Sequence, residues 1–443
     1  MPQIITTDVT SASYTVITGN ADDFIFVKQG VLVSTTSLAS PAYSAIGVFH
    51  DNNRVGIAGT VMSGNTPAIY SVGLNNIVTV TETGAILSLA SSIWDAVDFR
   101  FAGAQVINNG EIISLSRAVN STIGDAVVFN SGLISGITMG VGGATRVENL
   151  GTIRGATAVA MSDGDDTLLN TGSLIGNVTL AAGADLFDTI GGQMKGTVAG
   201  GAGDDIYRTG TAHLAIIELV GEGAADRVES TVDFDLGTVA EVENLRLLGT
   251  AADGAGNALD NLLTGNFRDN TLSGLGGNDT LNGGVGNDNL RGDIGDDSLF
   301  GGGGDDNLRG GTGADTLDGG NGEDVLTGGA GRDQMRGGAD ADTFAFRALV
   351  DSGVGSTARD IISGFETGLD LIDLTRIDAN AGLNGNQAFT FIGTGAFTNV
   401  AGQLRAVHGA NSVLRADVNG DGVVDFELQL TAITAVSVND ILF

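Results

Sequence analysis

The sequence predicts an all-β chain: an N-terminal parallel β-solenoid, then a parallel β-roll of nine-residue repeats, then a C-terminal β capping domain. Three observations lead there. A large apolar residue recurs every nine positions, at Leu263, Leu272, Leu281, Leu290, Leu299, Leu308, Leu317, Leu326, Met335 and Phe344. A looser repeat, a glycine followed two residues later by an aliphatic side chain, runs from Gly30 to Gly192. The composition, 42% hydrophobic but only 5% aromatic with 71 glycines in 443 residues, is that of two or more domains or of one extended solenoid. The expected boundaries are 1–207 for the solenoid, 208–264 for a β-rich leader, 265–346 for the roll and 347–443 for the cap.

In the first element the glycine–aliphatic pairs are Gly30/Leu32, Gly59/Val61, Gly84/Ile86, Gly110/Ile112, Gly132/Ile134, Gly151/Ile153, Gly172/Leu174 and Gly192/Met194. Their gaps of 29, 25, 26, 22, 19, 21 and 20 residues give eight coils that shorten along the chain. Asn108-Asn109-Gly110, Asn130-Ser131-Gly132 and Asn170-Thr171-Gly172 are turn contexts in which Asn and Gly tolerate left-handed backbone. The apolar runs Ala45–Phe49, Ala126–Phe129 and Ala158–Met161 supply a second strand to each coil. An antiparallel β-sandwich is the alternative, since its strands also recur at short intervals.

The leader, with Val242, Leu245 and Leu247, reads as packing strands rather than as a site. From Gly265 to Phe346 the nine-residue unit is GGxGxDxUx, U being the apolar position. Two residues before U stand Asn261, Asn270, Asp279, Asp288, Asp297, Asp306, Asp315, Asp324, Asp333 and Asp342. Glycines open the units from Gly274 to Gly337 and return at the fourth position as Gly277, Gly286, Gly295, Gly304, Gly313, Gly322 and Gly331. Glycine at the first, second and fourth positions lets the backbone turn through positive φ with carbonyls inward. The sixth-position carboxylate then supplies the charge that a hard divalent cation needs. Asn278, Asn287, Asp296 and Asp305, at the fifth position, belong to the same candidate calcium turns.

One apolar side chain per x-U-x strand is too little to bury alone, so two units make a coil and residues eighteen apart stack. Between Arg268 and Asp342 there are fifteen acidic and five basic side chains. Such a segment does not order by itself, so several calcium ions are expected to be part of the fold. A flexible Gly/Asp linker is the alternative, but linkers keep no apolar period. By the same chemistry Asp166, Asp185 and Asp205, in GxDxU fragments spaced 19 and 20 apart, are candidate calcium ligands. Plain solvated turns are the other reading, because each fragment lacks a second unit beside it.

The nonapeptide resembles the RTX calcium-binding repeat. The segment from Leu214 to Gly265 resembles the leader ahead of such arrays in large secreted RTX proteins. The texts ADTFAFRALVDSG, RDIISGFETGLDLIDL and ADVNGDGVVDFELQL resemble the C-terminal domain of serralysin-type metalloproteases, over roughly the last hundred residues. That resemblance implies calcium binding, capping and a C-terminal export signal read by a type I ABC exporter. The family's catalytic domain has no counterpart here: no HExxH occurs, and His50, His213 and His408 stand apart. Asp417, Asn419, Asp421 and Asp425 fit oxygen positions 1, 3, 5 and 9 of an EF-hand-like loop with Gly422 at 6, but position twelve is Leu428 and Glu427 comes one place early. An Asx-rich turn is the alternative there.

The net charge of −33, with Lys28 and Lys195 the sole lysines, disfavours nucleic acid and anionic membranes as partners and favours cations. No cysteine means no disulfide framework. The first 25 residues lack a signal-peptide pattern, and no 18-residue apolar run marks a transmembrane segment. Together these readings point to a secreted, extracellular or cell-surface calcium-binding structural protein, such as an adhesin, surface-layer or matrix component. The strands at Tyr14–Thr18 and Phe24–Val27 point to homo-oligomers through the solenoid, or to strands that cap their own coil. A surface glycan is a further candidate partner. The rival reading is a polysaccharide epimerase or lyase on a β-helix with an RTX module. Its base and acid would come from Tyr14, Tyr43, Tyr70, Tyr207, Lys28, Lys195 and His50, which are too scattered to form a catalytic cluster.

Overall fold

The computed structural model describes residues 3–5, 8–11, 16–17, 24–35, 45–63, 67–88, 96–115, 117–123, 125–141, 143–219, 221, 223–239, 241–380 and 382–443. The expectations placed on Tyr14, Thr15, Thr18 and Tyr43 lie outside these residues. The chain forms two compact units, residues 1–228 with 239–242 and residues 229–238 with 243–443.

The first unit is a parallel β-solenoid, not a sandwich. Three parallel ladders run through it. One joins Phe24–Val27, Arg54–Ile57, Ile77–Val80, Ala104–Asn108, Ala126–Asn130, Arg146–Asn149 and Thr167–Asn170. A second joins Leu32–Thr35, Thr60–Ser63, Ala85–Ser88, Glu111–Ser114 and Leu133–Ile134. A third joins Ile46–Val48, Ile69–Ser71, Val97–Phe99, Val119–Ile123 and Ile137–Val141. Early coils therefore carry three strands where the sequence suggested two, because their length leaves room for a third strand and its corner. Ala126–Asn130 lies in the first ladder, whereas Ile46–Val48 and the Val159–Ala160 pairing lie in the third. Where the coils shorten, the second and third ladders fuse into the long strands Thr152–Ala160 and Ser173–Ala182.

The aliphatic anchors pair in register from Val61 through Ile86, Ile112, Ile134, Ile153 and Leu174 to Met194. Every one except Met194 is fully buried. The first anchor is corrected by one place: Val33 pairs with Val61 and is buried, while Leu32 is not.

The Asn-x-Gly turns are also corrected. Asn108, Asn130, Asn170 and the glycines after them keep negative or extended φ. The asparagines turn inward instead: Asn108 Nδ2 donates to Asn130 Oδ1, Asn130 to Asn149 and Asn149 to Asn170, each at 2.7 Å. Glycine is needed because coils approach closely there; a Cβ on Gly132 would overlap the Gly110 carbonyl, and one on Gly151 the Gly132 carbonyl.

The second unit holds the roll and the cap. Its strands alternate between two parallel ladders, so that Thr271–Gly276 pairs with Asn289–Ile294 and Thr280–Val285 with Ser298–Gly303, eighteen residues on. All ten apolar sites from Leu263 to Phe344 are at most 1% exposed. Burial of each contributes roughly 1.5–3 kcal/mol. Val242 in the first unit and Leu245 and Leu247 in the second are buried as expected. The cap adds three antiparallel strands, Gln403–Val407, Ser412–Asp417 and Phe426–Leu430. The last of these joins the roll's ladder through Asp360–Ser363, and Phe426 meets Phe346 edge-on at 5.5 Å.

Candidate metal centre

The sixth-position aspartates form two columns, one at the end of each ladder of the roll. In one, Asn261, Asp279, Asp297 and Asp315 donate their backbone N–H to Oδ1 of Asp279, Asp297, Asp315 and Asp333 at 2.8–2.9 Å. In the other, Asn270, Asp288, Asp306 and Asp324 donate to Asp288, Asp306, Asp324 and Asp342 at 2.7–3.0 Å. One oxygen of each carboxylate is thus spent on holding coils together. The other, Oδ2, is buried without a hydrogen-bond partner in all eight. A buried acceptor left unpaired costs about 1–3 kcal/mol, and a charged one more.

Each unpaired oxygen faces the glycine that opens its unit. A Cβ on Gly292 would overlap Asp297 Oδ2 and press on the Gly310 carbonyl, and the same holds for Gly301 against Asp306 and Gly319. The opening glycine does not have positive φ, so its role differs from the turn expected of it. It keeps a cradle of carboxylate and carbonyl oxygens open. The left-handed turns are at the second and fourth positions, as in Gly302 at φ +111° and Gly304 at φ +126°. Oxygen donors alone, with no nitrogen or sulfur, suit calcium.

Burial drives the protonation. It pushes Asp279, Asp315, Asp324 and Asp333 up to about 7 and Asp306 and Asp342 to about 6, and raises Asp288 and Asp297. Without a cation the fold therefore shifts these groups towards the neutral acid, whereas a bound dication favours the carboxylate.

The fifth-position residues make a separate outer column. Asn278, Asn287, Asp296 and Asp305 accept backbone N–H bonds through Oδ1 from Asp296, Asp305, Ala314 and Glu323, at 2.7–3.0 Å. Asp166, Asp185 and Asp205 also stack in one column: Asp166 N–H donates to Asp185 Oδ1 at 2.7 Å and Asp185 N–H to Asp205 Oδ1 at 2.8 Å. Oδ2 is unpaired on Asp185 and Asp205, but on Asp166 it accepts Ser162 N–H at 3.1 Å.

The Asp417 loop is arranged differently. Asp417 accepts from Gly420 and Gly422 N–H, Asn419 from Asp421 N–H, Asp421 from Val423 N–H and Asp425 from Val418 N–H, at 2.7–2.9 Å. Glu427 is drawn away into pairs with Arg415 at 2.7 Å and Arg359 at 3.5 Å.

Sequence reasoning missed three members of the columns. Asp333 N–H donates to Asp360 Oδ1, Asp342 N–H to Asp370 Oδ1 and Asp205 N–H to Asp226 Oδ1. Their signal was an aspartate two residues before a buried aliphatic residue, Ile362, Ile372 or Val228, with only one of the unit's first- and fourth-position glycines kept, Gly355, Gly368 or Gly221.

Comparison with known proteins matches residues 255–290, 282–317 and 309–344 to the RTX calcium-binding nonapeptide repeat. Among solved structures, the chain is similar to the AlgE6R3 subunit of a mannuronan C5-epimerase from Azotobacter vinelandii. Identity is 30% over 34% of this chain and 80% of that one, with a TM-score of 0.27. It is also similar to the AlgE6R2 subunit of that enzyme at 25% identity, over 43% of this chain and 91% of that one, with a TM-score of 0.23. No curated protein matches. The repeated cradles and this match agree on the same stretch: the second unit carries RTX calcium-binding nonapeptide repeats.

Proposed function

We propose that the chain is a secreted or cell-surface structural protein, an adhesin, surface-layer or matrix component, that leaves the cell through a type I ABC exporter and folds on calcium. The observation that supports this most is the double column of buried aspartates, each with one oxygen unspent over a glycine cradle. Stacked like charges repel unless cations in the cradles offset them, so the free energy of binding is free energy of folding. Residues 347–443 serve as cap and export element, in keeping with their serralysin-like text. A surface glycan is the partner class this role implies for the solenoid.

Sites of the extracellular class bind calcium at ~10⁻⁴ to 10⁻³ M, so the repeats stay unfolded in a calcium-poor cytosol and order outside. Circular dichroism during a calcium titration from EDTA tests this reading. The expected result is a gain of β signal with a midpoint in that range. Equal β content in EDTA and calcium, or a midpoint at cytosolic calcium, sinks it.

A further inference from the structure

Asp205 closes the unit Gly200-Gly201-Ala202-Gly203-Asp204-Asp205, whose apolar position is the fully buried Tyr207. No second unit follows at the eighteen-residue spacing of the roll. Instead, strand Val198–Ala202 pairs with Ile216–Ile217 in the register Val198↔Ile216 and Ala199↔Ile217, which sets Glu218 beside Gly200. Asp226 then completes the turn by accepting Asp205 N–H at 2.7 Å. One carboxylate oxygen from each of Asp205, Glu218 and Asp226 lies within 4.8 Å of the others, and all three residues are buried. Oxygens bound to one calcium at 2.3–2.6 Å are at most about 5 Å apart, so a single ion can reach all three.

A second observation is independent of the cluster's acidity. Asp205 is 0% exposed, and its Oδ2 has no hydrogen-bond partner. That oxygen points over Gly200, where a Cβ would overlap Asp205 Oδ2, Tyr207 Oη and Glu218 Oε1 together. Glycine holds this space open, as the opening glycines do in the roll. The Tyr207 hydroxyl donates to Glu218 Oε1, and Glu218 Oε2 accepts Gly201 N–H at 3.4 Å, so the glutamate is oriented towards the cradle from both sides.

We propose that Asp205, Glu218 and Asp226 hold a divalent cation of the calcium class, with the Glu218 side chain supplying what a second nonapeptide supplies elsewhere. The site lies outside the residues matched to the RTX repeat and does not rest on the proposed role of the roll. Its donors are all oxygen, which favours a hard cation over zinc or copper. A dication offsets two of three closely spaced buried charges and gives Asp205 Oδ2 the partner it lacks.

Terbium, a hard trivalent stand-in for calcium, tests this on the full-length chain. It emits when a neighbouring phenol is excited, and the transfer falls steeply with distance. Every tyrosine and the one tryptophan precede residue 208, so the roll itself carries no such sensitiser. The expected result is a saturable, calcium-competed emission that Tyr207→Phe largely removes. Glu218→Gln should raise the terbium needed by about tenfold or more, through loss of a charged ligand. Emission unchanged in Tyr207→Phe overturns the proposal whatever Glu218→Gln does, because that variant keeps all three carboxylates. Failure of the roll would appear separately, in the circular dichroism titration.

Discussion

A glycine in this protein is explained by what its missing side chain leaves room for. Gly301 and Gly303 stand in the same repeat, and neither has positive φ. A Cβ on Gly301 would overlap Asp306 Oδ2 and press on the Gly319 carbonyl, while one on Gly303 meets nothing within 4 Å. Gly301→Ala fills the cradle and should weaken the calcium-loaded roll by on the order of 2 kcal/mol, the usual cost of overpacking. Gly303→Ala should stay within about 0.5 kcal/mol of the parent. Thermal melts in millimolar calcium compare the two, and equal losses would mean that the cradle is not where the ion sits. The fourth-position glycines answer to a different constraint, a left-handed turn closing against the coil before, as at Gly304 against the Gly286 carbonyl.

At the level of elements, one problem is solved with two chemistries, and the first unit holds a column of each kind. Stacked coils leave polar groups at the strand ends that must be paired within a low-dielectric interior. In the first unit neutral asparagines do this: Asn130 accepts from Asn108 Nδ2, and its own Nδ2 donates to Asn149 Oδ1 at 2.7 Å and to the Gly132 carbonyl at 3.2 Å. The column needs no cation, because each amide offers both a donor and an acceptor. In the roll the same task falls to carboxylates, which accept but cannot donate, so each keeps one oxygen for a cation. Asn130→Ala leaves the Asn149 Oδ1 acceptor without its donor, while Asn108 Nδ2 keeps the Leu133 and Gly110 carbonyls at 3.2 and 3.3 Å, and should cost about 1–3 kcal/mol for the one orphaned group. The loss should be the same in EDTA and in calcium. A thermal melt of the variant in both buffers checks this, and a loss confined to calcium would contradict it.

For the whole molecule, we propose self-association through the first strands of the solenoid. Among the described residues, strand Gln3–Ile5 pairs only with Phe24–Val27, which leaves a parallel edge of N–H and C=O groups. Ile4, on that strand, is 59% exposed, so the edge presents an apolar side chain beside its open backbone groups. The net charge of −33 opposes association at low salt, and millimolar calcium both screens and bridges acidic surfaces. Light scattering should therefore find oligomers in calcium that shrink when residues 1–29 are deleted. A calcium-loaded monomer at high concentration, unchanged by the deletion, would defeat the idea.

The sequence by itself determined the class of fold, the ten buried sites from Leu263 to Phe344, the eighteen-residue stacking of Asp279 on Asp297, and an oxygen-only chemistry suited to calcium. These follow from a period written into the chain, since a constant repeat allows only one register. What varies in spacing was decided by tertiary structure. Coils of unequal length pair through whichever strands meet, so the third strand of the early coils and the shift from Leu32 to Val33 depended on three-dimensional register. The inward turn of Asn130 and the meeting of Glu218 with Asp205 and Asp226 have the same cause. A glutamate outside any repeat becomes a candidate ligand only where folding carries it to a buried oxygen without a partner, and no local pattern encodes that distance.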